Sequence, residues 1–235
     1  MRELTATELN EFIENNSKIL KDALIMNIDF EEEDLSYIEF VGCAFQNCNF
    51  YDTNMANLRC SDTEFQSCNF DNCDLNNAYI YNCVLGGVTI SDCDLSKCCI
   101  GNGKILSSVF EDCAMVQSLL PNNELNNVVV NNSDLYKVYL HNSTMDRAKF
   151  NNVNMRHSVL SDVKLQEIDF KDVDMRYADM TDSYMDYLCD LDYCDMRGVI
   201  FDGADIEDID LLSECTLDED DIEIFEVETA TGPKL

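Results

Sequence analysis

Three groups of side chains in this chain could carry chemistry: thirteen cysteines, two histidines and 47 carboxylates. A metal site needs several thiolates, imidazoles or carboxylates that converge on one point. The sequence has no CxxC pair, and neither His141 nor His157 stands at ligand spacing from a cysteine. No phosphate-binding loop, nucleophile elbow or zinc-protease motif occurs either. The residues therefore predict a protein that is not an enzyme and that needs no metal or cofactor.

The carboxylates instead dominate the charge of the molecule. They face only 15 Lys and Arg residues, which leaves a net charge of −32. Nucleic acid and anionic lipid are excluded as general partners, because the field would repel them over most of the surface. The charge favours a basic protein partner, or it serves only to keep the chain soluble. Without a long apolar run, a signal peptide or a CxxC pair, the chain is expected in the cytoplasm.

An internal repeat of five residues decides how these side chains are positioned. Every fifth residue from Phe30 to Met185 is apolar; one extra residue then intervenes, and the register resumes at Leu191 and runs to Leu211. All 37 of these positions are apolar, and the position two residues earlier is usually small. Ten of the thirteen cysteines occupy that small position. A period of five fits neither an α-helix nor a plain strand.

Such a repeat does fit a square coil, in which each five-residue unit forms one side and one corner. The large and the small residue both point inward, so that most cysteines should be buried and act as small hydrophobes. Four units close a coil, and coils stack at the strand spacing of about 4.8 Å. The 37 units then give about nine coils and a rod about 43 Å long. Cys99 and Cys215 are expected to be the most exposed thiols.

The pattern A/C/S-D/N-L/F-x-x, as in Cys73-Asp74-Leu75, resembles that of the pentapeptide-repeat family over about residues 26–215. The resemblance implies an all-β fold, the right-handed quadrilateral β-helix, here with about nine coils. Characterised members, the quinolone-resistance Qnr and MfpA proteins, form dimeric acidic rods that resemble B-DNA and bind DNA gyrase or topoisomerase IV. This chain departs from them because no loop interrupts its repeats and its C-terminal segment is unusually acidic for a dimer seam.

Two functions follow from these features. The first is a non-catalytic, highly acidic interaction or scaffold protein that binds a protein partner not identified by the sequence. The alternative is a B-DNA mimic that binds a DNA-binding protein such as a type II topoisomerase. Neither involves direct contact with nucleic acid or a membrane, and either is compatible with a homodimer.

Residues 20 positions apart should stack in neighbouring coils, and this places a column of acids and amides along one face. The column either presents an ordered row of negative charge or, like Asp and Asn columns at two corners, stabilises turns. Its carboxylates form a candidate acidic binding ladder: Asp34, Asp74, Asp94, Asp134, Asp174 and Asp195.

Two further columns could bind partners. A basic corner, which either neutralises the neighbouring acids or forms a contact patch, contains Lys97, Lys137, Arg156, Arg176 and Arg197. An apolar stripe on the next face, a candidate for self-association, contains Tyr79, Leu119, Tyr139 and Val159, with Cys99 between the first two. The alternative for the stripe is that these residues are simply good strand formers.

The two ends of the solenoid require caps, because an open sheet edge invites pairing with other chains. Residues 1–24 are predicted as an N-terminal helical cap, with a capping box at Thr5–Glu8 and helical spacing that continues to Ile19 and Leu20. Residues 25–215 are predicted as the solenoid. Residues 216–235 are predicted as an acidic segment and tail, in which 222–227 form either a strand or part of a capping or dimerising segment.

Overall fold

The computed structural model describes residues 1–15 and 17–218. These residues form a parallel β-solenoid of about ten turns, built mostly of short strands, with one α-helix near the N-terminus. The predicted fold class is confirmed. The solenoid has one turn more than predicted because the strands Ile19–Lys21 and Ala23–Met26 precede Phe30, where the counted repeat starts.

Each turn has four sides, and strands of successive turns pair in parallel on faces 1, 2 and 4. Face 1 is an 11-stranded sheet of Arg2–Glu3, Ala23–Met26, Ala44–Gln46, Glu64–Gln66, Val84–Gly86, Lys104–Leu106, Glu124–Asn126, Thr144–Asp146, Lys164–Gln166, Tyr184–Met185 and Asp205–Ile206. Face 2 is a nine-stranded sheet of Asp29–Glu31, Asn49–Tyr51, Asn69–Asp71, Thr89–Ser91, Val109–Glu111, Val129–Asn131, Lys149–Asn151, Asp169–Lys171 and Asp190–Asp192.

Face 3 follows face 2 along the chain and is held by single parallel bridges, from Asp34 paired with Asn54 to Asp195 paired with Thr216. Face 4 closes the turn. It begins as a five-stranded sheet of Ile19–Lys21, Glu39–Val41, Arg59–Ser61, Tyr79–Tyr81 and Cys99–Gly101, and it continues as single bridges from Cys99 to Ile200.

The interior is filled by the residue at the centre of each side. On face 2 the rings of Phe30, Phe50 and Phe70 stack nearly parallel, with centroids 4.5 and 4.6 Å apart. Phe45 and Phe65 stack in the same way on face 1, at 4.9 Å. Aromatic rings can stack face to face here because the coil repeat sets them at the spacing of paired strands.

The corners explain why Asp and Asn recur at fixed positions. The second residue after almost every inward residue has a positive φ, as at Asp52 (51°), Asn72 (53°) and Asn82 (56°). Asn and Asp tolerate this left-handed conformation better than other residues with a side chain. Their side chains also bond between coils: Asn142 donates to Asn122 Oδ1 at 2.7 Å. The turn-stabilising interpretation of the corner columns is thereby supported.

The small inward residues bond to the backbone of their own coil and of the coil below. Thr53 Oγ1 donates to the carbonyl oxygens of Tyr51 and Phe30, at 3.1 and 3.3 Å. Cys73 Sγ makes the equivalent contacts to Asp71 and Phe50. Eleven of the thirteen cysteines are buried, and the two half-exposed ones are Cys99 and Cys215, as predicted. Burial raises the pKa of the Cys113 thiol to about 11.

The N-terminal cap is a helix at Ala6–Glu14, shorter than the spacing predicted. Thr5 and Glu8 form the expected capping box, and the Leu9 side chain is buried in the core. The extension of helical spacing to Ile19 and Leu20 is wrong, because both lie in the strand Ile19–Lys21. Leu20 stands five residues before Ile25, so that it satisfies the repeat as well as a helical pattern.

The extra residue between Met185 and Leu191 is absorbed without breaking the stack. Phe170 pairs with Leu191 and Met185 with Ile206, an offset of 21 residues where earlier pairs differ by 20. The buried carboxylate of Asp186 organises this step: its Oδ1 accepts from the amides of Glu167 and Leu188, both at 3.1 Å. The predicted accommodation of one extra residue is confirmed.

The C-terminal end of the described chain departs from the repeat. The register continues through Ile206, but Leu211 belongs to a 3₁₀-helix at Ile209–Glu214 and not to another solenoid side. Leu212 of this helix is buried and covers the last coil. The strand expected within 222–227 lies outside the described residues.

Candidate interaction surfaces

The acidic column runs along face 3, and its carboxylates are engaged in turns. Asp34 Oδ1 accepts from the backbone N–H of Ser36 at 3.0 Å, and hydrogen bonds from the Ser36 side chain and backbone lower the pKa of Asp34. Equivalent bonds link Asp74 to the amide of Asn76 at 2.9 Å and Asp134 to that of Tyr136 at 3.0 Å. An acceptor two residues before a donor is the Asx-turn arrangement, so one oxygen of each group stabilises the backbone.

The column is also interrupted and partly neutralised. Asn54, Ala114 and Asn154 take its place in three coils. Nothing therefore presents an unbroken row of free negative charge, although Asp74, Asp94 and Asp134 remain exposed beside their turns. The interpretation as turn chemistry describes these residues better than the interpretation as a charge ladder.

The arginines of the basic corner pair with the last two acids of the column. Arg176 binds Asp174 with two bonds, Nε at 2.8 Å and Nη2 at 2.6 Å, and Arg197 binds Asp195 in the same way. Arg176 Nε also lies 3.4 Å from Asp195, and Arg156 Nε lies 4.0 Å from Asp174. The three arginines thus form one charge network with the column, which is the neutralising role.

Lys97 and Lys137 of the basic corner lie one position further along the turn than the arginines, at the residue that has a positive φ. Lys97 is exposed, and Lys137 Nζ lies 5.2 Å from the ring centre of Tyr136. His157 stacks on Tyr177 at 5.1 Å, next to the arginines. All five predicted cations lie along one edge of the rod, with the three arginines in one column and the two lysines in the adjacent column.

The apolar stripe lies on face 4 as predicted. Successive members from Cys99 to Val159 are paired by parallel bridges, and Tyr79 pairs with Cys99. Tyr79 and Leu119 are exposed by 40% and 46%, whereas Tyr139 and Val159 are half-buried. The stripe is therefore a continuous outward column, most exposed at its first and middle members.

The carboxylates are concentrated at the ends of the rod. Residues 1–40 contain 11 acids and three Lys or Arg, and residues 161–218 contain 18 acids and four Lys or Arg, whereas the 120 residues between them contain only 12 acids and seven Lys or Arg. At the C-terminal end, a cleft of about 300 Å³ lies between face 2 and the 3₁₀-helix. Its carboxylates come from Asp190, Asp192, Asp208, Asp210 and Glu214.

This cleft was not identified from the sequence, although its acidic composition was visible there. Asp190 and Asp192 end face 2, and the chain passes through one more turn before the 3₁₀-helix returns to them. Burial, together with the charges of Asp192 and Asp169, raises the pKa of Asp190. The Asp190 carboxylate is thus held near like charges at a cost in electrostatic repulsion, which a cationic partner would relieve.

Opposite pKa shifts predict opposite effects of two matched substitutions. Hydrogen bonds from Arg197 lower the pKa of Asp195, so its contribution to stability is present above the unfolded pKa and is lost as pH falls through the lowered value. Asp195→Asn should lower the free energy of unfolding at pH 7 by about 1 kcal/mol. Asp190 has a raised pKa and favours the folded state only at low pH, so Asp190→Asn should raise stability at pH 7 by a few tenths of a kcal/mol.

Urea unfolding of both variants at pH 7 and at about pH 3, below the usual carboxyl pKa, measures these differences. Both differences in the free energy of unfolding should be smaller at the lower pH. Equal signs at pH 7 would contradict the electrostatic description of this end of the rod.

Within residues 1–15 and 17–218, no group of three or more His, Cys, Asp or Glu side chains has an arrangement that could hold a metal ion. Over the same residues, no helix has both the length and the apolarity needed to cross a membrane.

Comparison with known proteins agrees with the repeat and the fold. The sequence profile of the family Pentapeptide repeats matches eight copies, in residues 59–97, 124–162 and 154–186. The chain is a pentapeptide-repeat protein. Solenoids of this family are generally structural or interaction proteins. No curated protein matches this pentapeptide-repeat protein in sequence.

The solved structure of HetL shows the same architecture. HetL of the cyanobacterium Nostoc sp. strain PCC 7120, a pentapeptide-repeat protein involved in the regulation of heterocyst differentiation, superposes with a TM-score of 0.63 at 15% identity, over 91% of this chain and 94% of HetL. Full-length QnrB1, a plasmid-mediated fluoroquinolone resistance protein, aligns over 88% of this chain and 99% of its own, at 14% identity and a TM-score of 0.34. At these identities, the similarity to HetL shows the fold alone.

Proposed function

We propose that this pentapeptide-repeat protein is a non-catalytic, cytoplasmic binding protein that presents its acidic C-terminal third to a basic surface of a protein partner. The observation that carries the proposal is the concentration of charge in residues 161–218, where 18 carboxylates face four cations. A cleft with five carboxylates at its rim gives this charge a concave site. A cationic side chain of a partner would enter a field of one sign, which also accelerates association.

The raised pKa of Asp190 supports the same assignment. A carboxylate that is destabilised by its neighbours does not serve the fold, whereas the acids of face 3 stabilise turns. Residues held against stability are found at binding and catalytic sites, where the unfavourable interaction is relieved by the ligand. Asp190 of the C-terminal cleft therefore differs in role from the acids of the acidic column.

Mimicry of B-DNA, implied by the resemblance to Qnr and MfpA, is the special case in which the basic partner is a type II topoisomerase such as DNA gyrase. The rod form and the acids that recur on face 3 favour it. A duplex carries charge evenly, with one phosphate per about 1.7 Å of axis. The middle of this rod carries little net charge, so a mimic would have to act through its acidic ends.

A pair of charge variants tests the site. The first replaces four carboxylates of the C-terminal cleft: Asp190→Asn, Asp192→Asn, Asp210→Asn and Glu214→Gln. The control removes the same charge from face 3: Asp34→Asn, Asp74→Asn, Asp94→Asn and Asp134→Asn. Asn54 and Asn154 show that asparagine also accepts the turn hydrogen bond, at 3.1 and 3.2 Å, so the control should fold.

Both variants and the parent are used to retain proteins from a lysate at low and high salt. The parent and the control should retain the same basic proteins at low salt and release them at high salt, while the cleft variant should lose them. Retention by the cleft variant equal to that by the parent would overturn the proposal. A supercoiling assay with purified gyrase, in competition with duplex DNA, decides the special case: no effect of the parent at micromolar concentration excludes it.

A further inference from the structure

One side of this acidic rod carries almost no acid over five consecutive coils. Face 4 and its two corners comprise residues 75–82, 95–102, 115–122, 135–142 and 155–162, and the one acid among them is Asp162, at the last corner. Acids make up one residue in five of the chain, so about eight would be expected in these 40 residues. The solenoid stacks these segments directly above one another, as the pairs from Tyr79 to Val159 show. The result is one continuous face with a single acid at its far corner.

The same face is apolar and aromatic at its centre. The rings of Tyr79 and Tyr81 lie parallel, with centroids 5.6 Å apart, and both are exposed by more than a third. Leu119, the middle member of the apolar stripe, is the most exposed of that column at 46%. Tyr139 and His141 form a second ring pair at 5.6 Å. Exposed apolar side chains that are contiguous mark interaction surfaces, whereas single ones need no explanation.

We propose that face 4 binds a second copy of this chain, with Leu119 at the two-fold axis. Electrostatics identifies the occupant. Two copies of a chain with a charge of −32 repel each other wherever their carboxylates oppose, and this face, with Asp162 only at its far corner, lets them approach with few opposing carboxylates. The surface is self-complementary, because in a two-fold interface the same apolar residues occur on both sides.

The dimensions indicate a weak dimer. Five coils at about 4.8 Å span about 24 Å, and a side of five residues at about 3.3 Å is about 16 Å wide. Because protruding side chains make each surface larger than this flat rectangle, the two copies together would bury on the order of 1,000 Å². This area is at the low end of the range for specific interfaces. Lys97 and Lys137 border the patch and reduce the repulsion between the remaining acidic faces, whereas Lys104 and Arg156 pair with Glu124 and Asp174 of the same chain.

Salt distinguishes this surface from the C-terminal cleft. Binding of a basic partner weakens as salt rises, whereas an apolar contact between two acidic rods should strengthen, because salt screens the repulsion that opposes it. The dimer of face 4 and the partner site of the cleft lie on different parts of the rod. The two proposals can therefore fail separately.

Sedimentation velocity over a concentration series, at low and at moderate salt, provides the test. The parent should show dimers whose fraction rises with salt, and Leu119→Asp should be monomeric throughout. Tyr193→Asp is the matched control: Tyr193 is exposed by 68% on another corner, has a φ of 57°, and follows Asp172 in a column of Asp and Asn, so the change should preserve both fold and dimer. Circular dichroism checks that Leu119→Asp folds, and Leu119→Ser replaces it if it does not.

Cross-linking locates the axis. A chain with Cys99→Ser and Cys215→Ser lacks the two half-exposed thiols, and addition of Leu119→Cys places one thiol at the proposed axis. Mild oxidation by glutathione disulfide, which is reduced as the two thiols lose their protons, should join two copies of that chain. A parent that is monomeric at every salt concentration, a dimer that survives Leu119→Asp, or failure of Leu119→Cys to cross-link would each overturn the proposal.

Discussion

Phe50→Ala is expected to lower the free energy of unfolding by about 3 to 5 kcal/mol, the usual cost of removing a fully buried phenylalanine ring. Phe50 is wholly buried and stacks between Phe30 and Phe70, at 4.5 and 4.6 Å. The cavity cannot close easily, because the backbone on both sides is fixed by parallel pairing to the coils above and below.

Tyr51→Ala is the matched control for this change. Tyr51 is the next residue in the same strand and points outward, with 37% of its surface exposed. Its loss should cost less than about 1 kcal/mol, the range of a cross-strand pair at the surface. Urea unfolding of the two variants measures the difference, and similar costs would contradict the alternation of inward and outward side chains on which the solenoid depends.

The second large effect is expected at Cys93, where charge and size are tested separately. The thiol is buried between neighbouring coils, and its sulfur accepts from the amide of Cys73 at 3.3 Å. Cys93→Glu should cost several kcal/mol or prevent folding, because the site has neither space nor a partner for a carboxylate.

Cys93→Ser should be tolerated within about 1 kcal/mol. Ser133 occupies the same column two coils later, where its hydroxyl accepts from the Cys113 amide at 3.0 Å and donates to the Asn131 carbonyl at 2.7 Å. Circular dichroism and urea unfolding measure both variants. If glutamate were tolerated as well as serine, the small inward position would not be enclosed, and the burial of the cysteine columns would be wrong.

The architecture could be predicted from the sequence because a period of five leaves no other regular structure. Columns follow from the period by arithmetic, so the spacing alone places Asp174 and Arg176 of one coil against Asp195 of the next. The hydrogen bonds that the side chains of a column make are harder to predict from the sequence. The capping of turns by Asp74 and Asp94 depends on which oxygen faces which amide.

The ends could not be predicted in the same way, because there the repeat competes with other patterns. Leu20 satisfies both a helical spacing and the five-residue register, and pairing of the strand Ile19–Lys21 with Glu39–Val41 decides between them. Leu211 fits the register but lies in the 3₁₀-helix Ile209–Glu214, which is capped by Asp208, whose carboxylate accepts from the Asp210 amide at 3.0 Å. The acidic cleft forms because the chain enters this 3₁₀-helix, and no spacing in the sequence predicts the helix.

Paired strands are about 20 residues apart along the chain, and this spacing determines how the solenoid opens locally. Each coil touches only the coil before it and the coil after it, so opening can start at either end and travel inward one coil at a time. The stacked rings of Phe30, Phe50 and Phe70 strengthen the N-terminal half, whereas the last coils carry the densest negative charge. Amide exchange should therefore be fastest near Asp205 and slowest in the phenylalanine-rich coils. A partner that neutralised the C-terminal acids would then act as a clamp at the end where the coil stack loosens first.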